Sequence, residues 1–302
     1  MDKREIIDAA IVARDAFSNA HSLGECLKIA SDASMLHSQY QHYTTFQRAL
    51  QILKHRRLWL TRGDSDKIND QIEWQKYGPT RALWKKTFQA SFSYGTAERA
   101  FMWHAYGPRD WQSVRLSVTP KGMQEWRTAA SALSGQTLFV MNAKRPDDSG
   151  SPNRIVEVES ADIHDILYLA VDDKNRYDRK RNNCAAWDMA TNHFETMPDD
   201  IRDPALVGWA KDYEWRDERE TRIVVKTKKA KPGVDFIELP IPESVMAEMS
   251  LTFGPWASVG DIEAMKAQLK TALSPGHEWT SIPEDFFKRS FLAGALGNWE
   301  NE

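Results

Sequence analysis

The chain opens on two runs of helical period. Ile6, Ala10, Ala13 and Phe17 recur at spacings of three and four, with Ile7 and Ile11 beside them. Leu23, Cys26, Leu27 and Ala30 repeat the pattern. Such spacing stacks apolar side chains on one face of a helix. Two helices are therefore predicted over 3–19 and 22–34, joined near Ala20–Leu23. They form a helical extension, residues 1–36, ahead of a main domain at 37–302.

The main domain alternates its periods. Tyr40-Gln41-His42-Tyr43-Thr44 predicts a short strand running into a helix, with Thr44 and Gln47 as a capping box and Phe46, Leu50 and Leu53 as the buried stripe. Leu58–Leu60 returns as a strand, and the polar, turn-prone 63–79 predicts a flexible loop or lid. Strands are expected at Phe88–Ser93, Val114–Val118, Ile155–Val158, Ile166–Leu169, Thr221–Val225, Phe236–Leu239 and Met249–Phe253. Helices are expected at Ala97–Tyr106 and Ile262–Leu269, and a surface loop at Lys144–Asn153, rich in Pro, Asp and Gly. The aromatic tail after Pro275 reads as an edge segment. This order lacks βαβ regularity, so the fold class is α+β, a mixed and mainly antiparallel sheet with flanking helices.

Composition changes that picture little. The 302 residues are 41% hydrophobic and 27% charged, enough for a real core and against general disorder. A net charge of -3 offers no broad attraction to nucleic acid or anionic lipid, although basic residues gather at Lys174–Arg181 and Lys226–Lys231. Cys26 and Cys184 are far apart and form no ligand pair, which suits reduced thiols in a cytoplasmic protein. The charged start and the lack of any run of 18 apolar residues predict neither signal peptide nor membrane span. The 12 tryptophans read mainly as core.

No Gly-rich phosphate loop, zinc-protease helix or nucleophile elbow is present. Candidate chemistry therefore rests on scattered residues. His42, with Tyr43 and Thr44, sits at a strand-to-helix junction where backbone donors meet anions. Ser91 and Ser93 share one face of their strand, turned to a groove or to solvent if Phe92 enters the core, or the reverse with Phe92 exposed in a ligand cleft. Trp103 and Tyr106 are helical neighbours, either an aromatic wall or core. Glu218, Glu220 and Arg222 alternate in an extended segment, which aligns them. Arg222 suits a carboxylate or phosphate, or neutralises its glutamates, and one glutamate suits a base or the stabiliser of a cationic centre. His37, His164 and His193 lack partners at metal-ligand spacing, so no metal is expected. Asp235 and Glu238 read as edge-strand solubility residues.

These pieces resemble a known group. YQHYTTFQRALQILKHRRLWL, FQASFS, FMWHAY, WRDERETRIVV and FIELPIPESV…LTFGP, over about residues 38–270, are similar to the bacterial domain-of-unknown-function family 2971. That family is itself similar to the ADP-ribosyltransferase-like superfamily. The resemblance implies NAD as substrate, His42 on the nicotinamide-side ribose, Ser91 or Ser93 in the middle-strand place, and Glu220, with Glu218 competing, as the catalytic glutamate. It implies an ADP-ribosyltransferase or NAD glycohydrolase acting on a small nucleotide, with a protein, a nucleic acid or water as acceptor. The competing reading is a nucleotide- or nucleic-acid-directed defence protein that does no ADP-ribosyl transfer and uses the basic segments.

Overall fold

The structure, a computed structural model, describes residues 12, 16, 23–66, 73, 81–95, 98–141, 155–169, 204–273 and 284–293. In chain order the described elements begin with helix α1 (Leu23–Ala33), strand β1 (Tyr40–Thr45), α2 (Phe46–His55) and β2 (Arg57–Arg62). There follow α3 (Arg81–Trp84), β3 (Thr87–Tyr94), α4 (Ala100–Tyr106), β4 (Ser113–Val118) and α5 (Pro120–Ser131). Strands β5 (Thr137–Met141), β6 (Ile155–Asp165), β7 (Leu167–Leu169), β8 (Ala210–Asp212), β9 (Glu220–Thr227) and β10 (Phe236–Pro240) come next. The chain then forms α6 (Glu243–Ala247), β11 (Met249–Phe253), α7 (Val259–Ala272) and β12 (Phe287–Arg289). Helices mixed with mainly antiparallel strands are the class that the periodicity predicts. The helix expected over 3–19, the loop at 144–153 and the basic run 174–181 lie mostly or wholly outside the described residues.

The chain forms two compact units, both discontinuous in sequence. The first takes residues 1–37, 58–93 and 127–239, the second 38–57, 94–126 and 240–302.

In the first unit six described strands close a ring in the order β3-β2-β10-β5-β6-β9, because β9 pairs with β6 on one edge and with β3 on the other. The β9–β3 and β9–β6 pairs are antiparallel, and closure leaves β9 no free edge. Ile223 and Val225 are fully buried on one face of β9, in register with Ala90 and Phe88 of β3. Apolar burial of this kind is the dominant force that holds such a ring. Helix α1 lies against β6, where Ser31 donates to Asp162 and Ser34 to the Ile163 carbonyl.

Of the expected loop at 63–79 only residues 63–66 and 73 are described; 63–66 form a turn, and Asp64, Ser65 and Glu73 are buried. Asp64 is matched by the guanidinium groups of Arg62 and Arg81, so its charge leaves water with partners supplied.

In the second unit β1, β4, β11 and β12 lie side by side. The β1–β4 and β4–β11 pairs are antiparallel and β11–β12 is parallel, which puts Phe287–Arg289 of the aromatic tail at an edge. Thr45, rather than Thr44, caps α2, accepting from the Arg48 amide at 3.3 Å. The strand runs one residue further than its sequence suggests because Thr45 still pairs with Ser113 of β4. The capping box expected between Thr44 and Gln47 is replaced by a single cap at Thr45, because the residue three further on, Arg48, has no side-chain acceptor to complete a box.

Candidate functional site

The most unusual feature of the first unit is a set of charged side chains buried on one face of β9. Glu220 and Arg222, two residues apart, point the same way. Across the β3 pair Ser93 stands opposite Glu220 and Ser91 opposite Arg222, and across the β6 pair His164 stands opposite Arg222. Ser91 and Ser93 therefore turn to the same face as the glutamate, which resolves where that strand's hydroxyls go.

Both oxygens of Glu220 are engaged. Oε1 accepts from the Ser91 hydroxyl and from Arg222 Nε, the latter at 2.5 Å; Oε2 accepts from Arg222 Nη2 at 3.3 Å and from Lys211 Nζ at 3.4 Å. Its backbone N–H donates to the Tyr168 hydroxyl at 2.7 Å. Arg222 also grips Glu73 through Nη1 and Nη2 at 2.5 and 2.8 Å, a bidentate pairing, and Nη1 donates to Gln89 Oε1 at 3.2 Å. Arg222 and Glu73 are each 1% exposed.

Glu218 joins by a different route from the one its spacing suggests. It ends a 3-10 helix, Tyr213–Glu218, and Arg219 then takes a left-handed conformation with φ 47° before β9 begins. The alternation of 218, 220 and 222 along one strand therefore fails at its first member. Glu218 nevertheless reaches the cluster, since Lys211 Nζ donates to its Oε2 at 2.5 Å and Ser93 Oγ to its carbonyl at 2.7 Å. The Trp215 ring lies 4.6 Å from the same ammonium, a cation–π contact.

Burial and charge pull these groups in different directions. Desolvation alone raises Glu220, but the charges of Arg222 and Lys211 and the bonds from Arg222 and Ser91 outweigh it and hold its pKa at about 2. Burial wins at Glu73, whose pKa is raised although Arg222 opposes the shift. Lys211 and Arg222 are kept charged by their carboxylates against the cost of burial. His164 is stacked on Trp209 with centroids 3.3 Å apart, and burial drives its pKa well below 6.5, so its imidazole is neutral.

Sequence reasoning reached Glu220, Glu218, Arg222, Ser91 and Ser93, and these five converge. It missed Glu73 and Lys211. Glu73 lies in a polar stretch and Lys211 in the three-residue strand β8, and neither carries a local signal.

The remaining candidates belong to the second unit. Tyr43, Trp103 and Tyr106 form one group: the Tyr43 and Trp103 rings meet edge to face at 4.8 Å, and Tyr106 packs against them half-buried. His42 and Thr44 lie on the opposite face of β1, in register with Leu116 and Val114. Within its unit His42 is thus turned away from the aromatic group. Of the basic segments, Lys226–Lys231 is largely spoken for. Lys228 pairs with Glu157, Lys231 donates to the Ile155 carbonyl, and burial lowers the pKa of Lys226. Among the described residues no helix is long and apolar enough to cross a membrane, and no group of His, Cys, Asp or Glu is arranged to hold a metal ion.

No protein-family model and no curated protein matches the chain. Among solved structures it is similar to that of Thermus sp. 2.9 DarT in complex with carba-NAD+, at 12% identity over 83% of this chain and 97% of that one. The TM-score is 0.28, a likeness too slight to carry an argument.

Proposed function

We propose that the chain consumes NAD, as an ADP-ribosyltransferase or NAD glycohydrolase, with Glu220 as the carboxylate set against the reacting ribose. The observation that supports this is the hydrogen bond from Ser91 to Glu220 across the β3–β9 pair. The middle-strand hydroxyl and late-strand glutamate implied by the resemblance to family 2971 and its superfamily are here in contact.

The chemistry of the donor set fits one end of the substrate. In such a reaction the bond between ribose and nicotinamide breaks, its electron pair leaves with nicotinamide, and positive charge develops on the ribosyl carbon. Water or an acceptor nucleophile then forms the new bond and gives up its proton. A carboxylate with a pKa of about 2 stays ionised and stabilises that developing cation in a low-dielectric setting. Arg222 and Ser91 fix its orientation. Glu73, pushed the other way, is the group of the pair that holds a proton more readily, and such divergence marks acid and base roles. Three carboxylates against two cations suit the cationic nicotinamide–ribose end better than the diphosphate.

A second reading has its own observation. Both oxygens of Glu220 are bound and the residue is 2% exposed, as in an ion network that serves the fold alone. Incubating the purified chain with NAD and following nicotinamide release separates the two. The enzyme reading expects release that Glu220→Gln removes. The fold-only reading expects no release from wild type, or release that a folded Glu220→Gln variant retains.

A further inference from the structure

The second unit buries a polar sheet face that shares no residue with the Glu220 cluster. Strand β4 alternates Ser113, Arg115 and Ser117 with Val114, Leu116 and Val118. Its neighbours extend the polar side: Tyr43 and Gln41 of β1 stand opposite Arg115 and Ser117, as do Thr252 and Ser250 of β11. Trp103, fully buried, packs on Tyr43 above this face, with Tyr106, Trp256 and Leu292 around it.

Arg115 is 5% exposed and only partly matched. Its Nη2 donates to Thr252 Oγ1 at 3.1 Å and lies 3.4 Å from Glu98 Oε1, whose other oxygen accepts from Ser290 Oγ at 2.5 Å. The Tyr43 and Trp103 rings lie 5.8 and 5.9 Å from the guanidinium carbon. Burial raises the Tyr43 pKa, and both the Arg115 charge and a side-chain contact of Arg115 with the Tyr43 oxygen oppose it. Tyr43 itself donates to Gln41 Oε1 at 3.0 Å. With all of this in place, Arg115 Nε and Nη1 still have no acceptor in hydrogen-bonding geometry, nor has Trp103 Nε1.

We propose that this face, centred on Arg115 and the Trp103 indole N–H, binds an oxyanion, a phosphate or carboxylate group of a ligand. Buried polar atoms are nearly always paired, and unmet ones at one place mark a missing partner. The unmet nitrogens of Arg115 and Trp103 are donors only, so they reject a cation and select an acceptor-rich group. The guanidinium, whose Nη2 lies 3.4 Å from Glu98 Oε1, leaves Nε and Nη1 for a further acceptor, and its charge favours a charged one over a neutral carbonyl. The Ser117 hydroxyl, also without a partner and two residues along the same face, adds a further donor.

The test titrates the full-length chain with inorganic phosphate and, separately, with acetate, at constant ionic strength against chloride, using calorimetry and the thermal unfolding midpoint. Wild type is expected to give saturable binding of at least one anion, and the one that saturates names the source. Arg115→Met should weaken it at least about tenfold, the fold-change expected for loss of a charge-assisted contact. Trp103→Phe keeps an aromatic ring, removes only the N–H, and should weaken binding several-fold. Saturation by neither anion overturns the proposal, as does a folded Arg115→Met variant that binds like wild type. If Arg115→Met does not fold by circular dichroism, Trp103→Phe decides alone, and unchanged affinity in it overturns the proposal.

Discussion

Glu73 and Glu220 grip the same guanidinium, that of Arg222, and are driven in opposite directions. Glu220 is held at a pKa of about 2, whereas Glu73 is raised. The difference lies in their other partners. Glu220 has Lys211 and Ser91 in addition, and burial of Glu73 is offset by Arg222 with less help. One buried arginine thus carries a carboxylate that is firmly ionised and one that takes up a proton more readily.

This asymmetry predicts unequal costs for the two isosteric amides. A pKa lowered from 4.5 to about 2 corresponds to stabilisation on the order of 3 kcal/mol at neutral pH. Glu220→Gln should lose about that amount in urea unfolding, and Glu73→Gln less. The sign with pH follows. The Glu220 contribution is complete above 4.5 and is lost as pH falls from 4.5 through 2. Equal losses in the two variants would contradict the assignment.

Arg222 should be the costliest single loss in the cluster. Arg222→Met leaves two buried carboxylates without their main partner, and breaking a buried pair on one side costs about 3–5 kcal/mol. The denaturant midpoint measures it. A loss below about 1 kcal/mol would mean that water reaches these groups.

His164 supplies a separate acid sensitivity. Its folded pKa lies well below 6.5 because burial disfavours the charged ring. As pH falls below 6.5 the unfolded chain takes up a proton that the folded chain refuses. Stability from this residue is therefore present above 6.5 and declines by about 1.4 kcal/mol per unit below it. His164→Phe keeps a ring against Trp209 and should flatten the slope of unfolding free energy between pH 6.5 and 5. An unchanged slope would place the titration elsewhere.

The displaced cap gives a local test. Thr45→Ala should cost about 1 kcal/mol, because Thr45 accepts from the Arg48 amide, and Gln47→Ala should cost less than about half of that. The reverse order would restore the box between Thr44 and Gln47.

These residues also show what the sequence made legible. Period alone located β3, β4, β9 and β11 within a residue or two, because each carries an apolar face. It did not show that β3 meets β9, since Ser91 and Glu220 are 129 residues apart and strand pairing leaves no local mark. Glu218 was misplaced because only the left-handed turn at Arg219 separates helix from strand there. In β4 the strand was plain from its apolar positions, whereas nothing local marked Ser113, Arg115 and Ser117. Their burial follows from the aromatic group packed above them, a tertiary fact. Glu73 and Lys211 were hidden for the same reason: each becomes notable only beside Arg222 and Glu220.

Nicotinamide release from NAD by wild type and by Glu220→Gln, at a temperature where both are folded by circular dichroism, tests the central claim most directly. The account predicts release by wild type and a fall on the order of 10²–10³-fold in the variant, the usual effect of removing a group that stabilises transition-state charge. Equal release by the two proteins would contradict it.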